Sequence, residues 1–367
     1  MKVLLLAGEQ SGMIYAEALK KILAGRNVEV RGYQDYGFKI SDMAVMGLIP
    51  VLKKIGYFMN LKRTMERAIM EWRPDAVCTI DYPGLNLRLA AFAKELGIRA
   101  VHVVSPQVWA WKKGRIPKIE ASLDKLLCFF PFEPSLYKPG FAEFVGHPLA
   151  DEIRARACEP DASQTPGARR LVGVLPGSRM GEIERNLPVM LEAVSKLDNV
   201  TIEIPAAHSA ARKAIEKVIA KAAPRFDRSC CKVLDGKARE VLARSQVAAV
   251  ASGTATLEAA LLGCPTVLVY KAPFLFAAFL RIAIKEIKHV GLANIIWEKM
   301  RPGDDSFPMP ELLQEDFTAD ALAGMLEDWL DDSAARAEMT RRLAETCKLL
   351  DSNGSAMERI ASCVMKG

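Results

Sequence analysis

The chain has 367 residues, of which 50% are hydrophobic and 26% are charged, and it contains 24 glycines and 20 prolines. This composition is typical of a folded globular protein and excludes a disordered, collagen-like or low-complexity chain. The formal net charge of +6 is spread along the sequence without a dense basic stripe, so we expect no nucleic acid among its partners.

The eight cysteines are scattered without a C-x-x-C pair, and the four histidines show no metal-ligand spacing. We therefore expect reduced thiols and no metal site. The longest apolar run, 272–284, contains Arg281 and is shorter than the ~18–20 residues that a membrane span needs. The apolar stretch after Met1 is too short for a signal peptide, so we predict a cytoplasmic protein.

Short apolar runs alternate with helical patterns over the first 150 residues. This βαβ rhythm predicts a parallel sheet that is covered by helices on both faces. The predicted strands are 2–7, 28–32, 75–81, 99–105, 125–130 and 143–146, with helices near 13–24 and 86–96. We predict a first domain over 1–157.

A polar stretch with two prolines, 157–168, predicts a linker, and the rhythm then restarts. The predicted strands are 170–177, 199–205, 231–236, 246–252 and 265–271. Helices are predicted near 182–197, 208–222, 238–244 and 254–262, and after Phe317 the chain is predicted to be helical almost to its end. We predict a second domain over 169–345 and a final helix, 346–367, that packs back on the first domain. The fold class is α/β, with two Rossmann-like doubly wound domains whose strand carboxyl ends face a cleft.

Two turns of the first domain carry carboxylates directly after strands. Glu9 lies in the turn Gly8-Glu9-Gln10-Ser11-Gly12, and Asp81 begins the turn Asp81-Tyr82-Pro83-Gly84. A carboxylate at a strand end can act as a general base on a substrate hydroxyl. The alternative interpretation is structural, with a tight βα turn at Glu9 and a helix cap at Asp81.

Trp109 and Trp111 share one loop after the strand at 99–105. Their indoles could line a groove for acyl or sugar groups. The alternative is a loop that its tryptophans attach to the core.

The second domain repeats a strand-turn-helix motif twice. Arg179 closes the turn LPGSR (175–179), and its guanidinium suits a diphosphate. In ASGTATLE (251–258), Ser252, Gly253 and Thr254 start a helix whose N–H groups can bind phosphate. Glu258 lies one turn further and could hold ribose hydroxyls. A solvated arginine and an ordinary helix cap are the structural alternatives.

Segments 45–62 and 274–288 mix bulky apolar residues with Lys and Arg. Each is typical of a helix that dips into a membrane interface. Two amphipathic core helices with basic outer faces are the alternative interpretation.

An ordered series of motifs resembles the lipid-A-disaccharide synthase family of two-domain GT-B glycosyltransferases. The matching segments are AGEQSG (7–12), PQVWAWKKGRI (106–116), FPFEPSLY (130–137), FVGHPLAD (144–151), LPGSRMGEIERNLPVML (175–191), ASGTATLEAALLG (251–263), PTVLVYK (265–271), LANII (292–296) and PELLQ (310–314).

The resemblance implies a UDP-diacylglucosamine donor and a diacylglucosamine 1-phosphate acceptor, joined by an inverting β-1,6 transfer that releases UDP. It implies no metal and no cofactor, and peripheral association with an anionic inner membrane surface; a homodimer is left open. Asp81 and Glu9 match its acidic positions, with Asp81 the first candidate for the base. The implied donor residues are Ser178, Arg179, Ser252, Gly253, Thr254, Glu258, Asn294 and Gln314, and the implied acceptor residues are Ser11, Trp109 and Trp111.

Four departures from the family pattern fall in the first domain. Met13 and Gly84 stand where the family has acidic residues, the turn at 32–36 has fewer glycines, and an acidic residue near Pro50 is absent. A non-catalytic relative that binds a nucleotide sugar or lipid is therefore an alternative. Another GT-B enzyme that uses UDP-N-acetylglucosamine, such as a 2-epimerase or the peptidoglycan glycosyltransferase, is a further alternative.

Overall fold

The structure is a computed structural model that describes residues 1–8, 10–39, 42, 54–110, 113–155, 170–222, 227–272, 288–352 and 354–366. The chain divides into two units. Unit 1 comprises Met1–Asp151 and Leu350–Gly367, and unit 2 comprises Glu152–Leu349. The predicted linker 157–168 lies outside the described residues.

Each unit contains a sheet of parallel strands, six of them among its described residues. In unit 1 they are β1 Lys2–Ala7, β2 Glu29–Arg31, β3 Ala76–Ile80, β4 Arg99–Val103, β5 Lys125–Cys128 and β6 Ala142–Phe144. In unit 2 they are β7 Arg170–Leu175, β8 Val200–Ala206, β9 Cys231–Asp235, β10 Val247–Ala251, β11 Thr266–Tyr270 and β12 Glu311–Leu313.

Helices follow most strands. They are α1 Gln10–Gly25, α2 Ile55–Trp72, α3 Pro83–Glu95, α4 Ile116–Ser122, α5 Pro148–Ala155, α6 Met180–Val194, α7 Ser209–Ala222, α8 Ala238–Arg244, α9 Thr254–Leu261, α10 Leu292–Met300, α11 Ala319–Asp331, α12 Ser333–Leu349 and α13 Ala356–Met365. Short 3-10 turns occur at Tyr33–Tyr36, Lys113–Arg115, Glu133–Leu136 and Arg228–Cys230.

Alternation along β1 places its side chains in two hydrophobic clusters of unit 1, one on each face of the sheet. Val3 and Leu5 pack with α1 and α13 on one face, whereas Leu4 and Leu6 pack with α2 and α3 on the other. Successive side chains of a strand point to opposite faces, so an apolar strand needs a helix layer on each side. In unit 2, Val172 and Val174 face α6, α7 and α11, while Leu175 faces α8 and α9.

The strand orders are β2-β1-β3-β4-β5-β6 and β12-β11-β10-β7-β8-β9. In unit 1 the chain leaves β1 for β2 on one side and later returns to β3 on the other side. In unit 2, β7 and β10 are the corresponding neighbours. At such a switch point the loops after two adjacent strands diverge and leave a crevice for a ligand. The predicted turns at 8–12, 81–84, 175–179 and 251–258 lie at the ends of these four strands.

Every predicted strand is present, usually a residue or two shorter than its apolar run. Helices α4, α5 and α10 and strand β12 were not predicted. The interfacial helix predicted over 45–62 begins only at Ile55 in the described residues, and 274–287 lies outside them. Within the described parts of the chain, no helix has the length and apolar character needed to cross a bilayer.

Candidate active site

Asp81 directly follows β3 in a turn of unusual backbone geometry. Its φ is 51° and that of Tyr82 is 52°, a left-handed conformation that is costly for residues other than glycine. The Asp81 N–H donates to the carbonyl oxygen of Val103 at 3.0 Å, which ties the turn to β4. The Asp81 Oδ1 accepts a hydrogen bond from the Tyr82 N–H at 2.8 Å. The carboxylate therefore sits at the carboxyl edge of the sheet.

The surroundings of Asp81 change the pKa of its carboxyl group in the direction that suits a general base. Burial raises the pKa of its carboxyl group, and the hydrogen bond from the Tyr82 N–H partly opposes that effect. A general base works best when its pKa approaches the working pH. Its position at the carboxyl edge of the sheet and its raised pKa are compatible with a base, and the role of Asp81 stays a prediction.

The turn that begins at Gly8 packs against the turn at Asp81, where Gly8 meets the side chain of Tyr82. A Cβ atom on Gly8 would lie 2.5 Å from Cγ of Tyr82, so a side chain at this position would overlap the aromatic ring. The adjacent Glu9 lies outside the described residues. Ser11 lies in α1, but its side chain is likewise outside them.

Trp109 is buried in unit 1, with 6% of its surface exposed. Its ring makes an edge-on contact with Phe132 at a centroid distance of 5.7 Å. This packing agrees with the interpretation of a loop attached to the core; a contact of Trp109 with lipid stays a prediction. Trp111 lies outside the described residues.

Sequence reasoning missed a buried carboxyl group beside this loop. Glu133 follows β5, and its Oε2 accepts a hydrogen bond from the Phe130 N–H at 3.1 Å. Burial raises the pKa of Glu133 to about 8 and lowers the pKa of the nearby His147 to about 4. The only sequence signal was an acidic residue inside the apolar segment FPFEP.

In unit 2, α9 begins without a side-chain cap. Gly253 is the N-cap residue, with φ of 153°. Because glycine has no side chain, no side-chain hydrogen bond caps the start of the helix. The Thr256 hydroxyl donates to the Gly253 carbonyl oxygen at 2.7 Å. The alternative of a cap by Ser252 or Thr254 is therefore wrong. N–H groups of an uncapped first turn are suited to bind phosphate oxygens.

Arg179 is the N-cap residue of α6, and its side chain is 65% exposed. Its guanidinium donates to Glu182 Oε1 at 2.8 Å. Gly177, with φ of 111°, packs against the Glu182 side chain. Glu182 thus holds a cation at the end of β7, where a diphosphate could bind it.

Glu258 is held by an arginine that sequence reasoning missed. The Arg239 Nε donates to Glu258 Oε1 at 2.7 Å, and a terminal nitrogen of the same guanidinium lies 2.9 Å from Glu152 Oε1. Arg239 therefore fixes the orientation of the Glu258 carboxylate. The signal, a basic residue 19 positions before Glu258, could not be recognised without the fold.

These side chains surround a cavity of about 470 Å³ at the switch point of unit 2. Its lining includes six of the predicted donor residues: Ser178, Arg179, Ser252, Gly253, Thr254 and Glu258. Glu182, Gly236 and Ala206 are among the other residues that line it. The cavity combines small residues and a helix start with one cation, Arg179, and two carboxylates, of which Glu182 pairs with Arg179. Backbone N–H groups and a cation are suited to a nucleoside diphosphate.

Asn294 and Gln314 lie elsewhere in unit 2. Asn294 is buried, donates to the Met309 carbonyl oxygen at 2.6 Å and to Glu311 Oε1 at 2.8 Å, and lines a different cavity. Gln314 follows β12 with φ of 52°, and its N–H donates to the Tyr270 carbonyl oxygen at 3.0 Å. Neither lines the cavity around Arg179, so their predicted contact with the donor stays a prediction.

Fold comparisons define the class first. Acinetobacter baumannii MurG superposes with a TM-score of 0.61 at 13% identity, over 100% of this chain and 99% of its own. UDP-GlcNAc 2-epimerase from Neisseria meningitidis bound to UDP-GlcNAc gives a TM-score of 0.61 at 11% identity, over 100% of both chains. The fold is the two-domain α/β fold of GT-B glycosyltransferases and epimerases.

The sequence comparisons then identify the family. Residues 3–362 match the family model described as lipid-A-disaccharide synthetase. The lipid-A-disaccharide synthase of Anaeromyxobacter dehalogenans is 36% identical, over 99% of this chain and 97% of its own length. The chain belongs to the lipid-A-disaccharide synthetase family and is therefore a glycosyltransferase, which confirms the family resemblance and the predicted fold class.

Proposed function

We propose that this chain transfers diacylglucosamine from UDP-2,3-diacylglucosamine to the 6-hydroxyl of 2,3-diacylglucosamine 1-phosphate. The family membership supports the reaction class and both lipid substrates. The observation that carries the proposal is the cavity of about 470 Å³ in unit 2, which six of the predicted donor residues line. The products are the β-1,6 lipid A disaccharide 1-phosphate and UDP.

In the proposed step, the Asp81 carboxylate accepts the proton of the acceptor 6-hydroxyl. The hydroxyl oxygen forms a bond to the anomeric carbon as the bond to the UDP oxygen breaks on the opposite face, which inverts the configuration. The electron pair of the broken bond goes to the departing diphosphate. Arg179 and the N–H groups at the start of α9 stabilise this negative charge, and Glu258 holds the ribose hydroxyls.

The direct experiment is turnover of the purified chain with both lipid substrates, with the disaccharide identified by mass spectrometry. UDP-N-acetylglucosamine replaces the lipid donor in a parallel reaction. We expect disaccharide only from the acylated pair. Epimerisation of UDP-N-acetylglucosamine, or binding of the acylated donor without any product, would contradict the proposal.

Peripheral binding to an anionic inner membrane surface belongs to the same proposal. Ile55 and Met59 at the start of α2 are 57% and 51% exposed, as expected for apolar side chains that meet lipid. We expect the chain to sediment with anionic vesicles at low salt and to dissociate as salt screens Lys and Arg. Absence of binding at low salt would contradict this part. Sedimentation without vesicles tests whether a homodimer forms.

A further inference from the structure

Asn86 joins the ends of two strands beneath the candidate base. It lies in the first turn of α3 and is 0% exposed. Its amide nitrogen lies 3.2 Å from the Leu6 carbonyl oxygen, 3.1 Å from that of Ile80 and 2.7 Å from that of Asp81. One buried amide therefore connects β1, β3 and the backbone of Asp81.

Tyr33 fixes the orientation of that amide. Tyr33 is 1% exposed, and its hydroxyl donates to Asn86 Oδ1 at 2.6 Å. Burial raises the pKa of Tyr33, which keeps the hydroxyl protonated and able to donate. Because the carboxamide oxygen is occupied by this donor, the amide nitrogen must face the carbonyl groups at the strand ends.

The backbone that Asn86 holds is the strained one. Asp81 and Tyr82 both have positive φ, and such conformations persist only where their surroundings overdetermine them. The shortest contact of the Asn86 amide is with the carbonyl oxygen of Asp81 itself. Loss of this contact leaves the partly buried Asp81 carbonyl without this donor and lets the turn relax.

We propose that Asn86, oriented by Tyr33, is a positioning residue that holds the Asp81 carboxylate against the acceptor hydroxyl. Asn86 acts through Asp81 and is not itself in contact with the substrate. The inference rests on the proposed function, because it assigns Asn86 to the base of that reaction. A merely structural Asn86 would stabilise unit 1 without affecting how Asp81 ionises.

The pH dependence of kcat separates the two roles. Relaxation of the turn exposes the Asp81 carboxyl to water, which lowers its raised pKa. We expect Asn86→Ser to lower kcat by about 10–100-fold, as for a displaced general base, to leave KM for the UDP donor unchanged, and to move the acid limb of the profile to lower pH. Tyr33→Phe, which keeps the ring, should shift the limb in the same direction by less.

Thr79→Val is the matched control. The Thr79 hydroxyl is 0% exposed and lies 2.7 Å from His102 Nδ1, so its loss also removes a buried hydrogen bond next to β4. We expect it to lower the melting temperature but to leave the acid limb in place. The inference is overturned if the acid limb of the Asn86→Ser profile stays at the parental pH and kcat of this variant is reduced no more than that of Thr79→Val.

A double-mutant cycle distinguishes this failure from failure of the proposed function. If Asp81 is the base and Asn86 positions it, Asn86→Ser adds little to the loss already caused by Asp81→Asn. Near-normal turnover of Asp81→Asn alone overturns the proposed base. A loss in Asp81→Asn to which Asn86→Ser adds its full effect overturns only the positioning role. If Asn86→Ser does not fold, Tyr33→Phe is tested in the same cycle, and an unshifted limb there overturns the inference.

Discussion

Unit 1 and unit 2 each place a buried asparagine at their strand ends, but they hold different chemistry there. Asn186, 0% exposed, donates to the Pro176 carbonyl oxygen at 3.1 Å and accepts from the Lys271 N–H at 3.0 Å. It joins the segments after β7 and β11, as Asn86 joins β1 and β3. A buried amide is suited to this task because it donates and accepts at once.

The two units differ in the functional groups that they place at these strand ends. Unit 1 presents the half-buried Asp81 on a left-handed turn. Unit 2 presents an exposed Arg179 and an uncapped helix start with glycine at its N-cap. A base needs a fixed position and partial desolvation, whereas a diphosphate needs close backbone approach and accessible positive charge. We therefore propose that the same topology serves proton transfer in unit 1 and anion binding in unit 2.

The largest expected effect removes the base from unit 1. Asp81→Asn keeps the size of the side chain but not its basic oxygen, so turnover should fall by ~10²–10⁴. Calorimetry should show unchanged UDP affinity, because the residues predicted to bind the nucleotide lie in unit 2. Asp75→Asn, at the other end of the β3 segment, is the matched control and should stay active.

If Asp81→Asn retains near-normal turnover, Asp81 is structural. Glu9→Gln is then the next variant, since Glu9 is the other predicted carboxylate at a strand end. If the parent is active and neither carboxylate is needed, the base lies in another segment of unit 1. The proposed difference between the two units would then be wrong.

A smaller effect tests unit 2. Glu258→Ala should weaken UDP binding by ~1–3 kcal/mol, because ribose hydroxyls lose a hydrogen-bond partner and Arg239 loses its carboxylate. Isothermal calorimetry measures this directly. Glu240→Ala removes a carboxylate from the neighbouring α8 and should leave the affinity within error. Equal affinities for Glu258→Ala and the parent would remove the ribose role.

Buried titratable groups of unit 1 predict a pH window for its stability. The pKa of Glu133 is raised to about 8, so its stabilising contribution is complete below its unfolded pKa and is lost as pH rises through 8. The pKa of His147 is lowered to about 4, so its contribution is complete above its unfolded pKa and is lost as pH falls through 4.

Denaturant titrations between pH 4 and 9 measure this window. Each group can change the free energy of unfolding by at most about 1.4 kcal/mol per pH unit. Glu133→Gln should remove the alkaline loss and leave the acid loss unchanged. The same alkaline loss in Glu133→Gln and in the parent would show that another group titrates.

The smallest expected effect is that of a chelator. If Arg179 and the start of α9 neutralise the departing diphosphate, EDTA should leave the rate unchanged. Rate measurements with EDTA and then with added magnesium check this. Activity lost with EDTA and restored by magnesium would mean that unit 2 binds the diphosphate differently from the proposal.

The predictable parts of the molecule were those encoded locally. Apolar runs such as KVLLLA and QVAAVAS predict buried strands, because each needs only its own side-chain pattern to be recognised. Turns such as 175–179 and 251–258 are also local, and their proposed chemistry follows from residue types next to a helix start. The ordered motifs made the family recognisable.

Tertiary structure decided the features that depend on distant partners. Strand β12 is three residues long and exists because Glu311–Leu313 pairs with β11. Asn86 acquires its contacts with Leu6 and Tyr33 only after segments far apart in sequence become neighbours. Arg239 reaches Glu258 only when α8 and α9 pack together. Trp109 is buried and Asn294 lies outside the Arg179 cavity for the same reason. The sequence determines the type of each side chain. Its burial and its partners depend on how helices and strands pack, which the local sequence pattern does not specify.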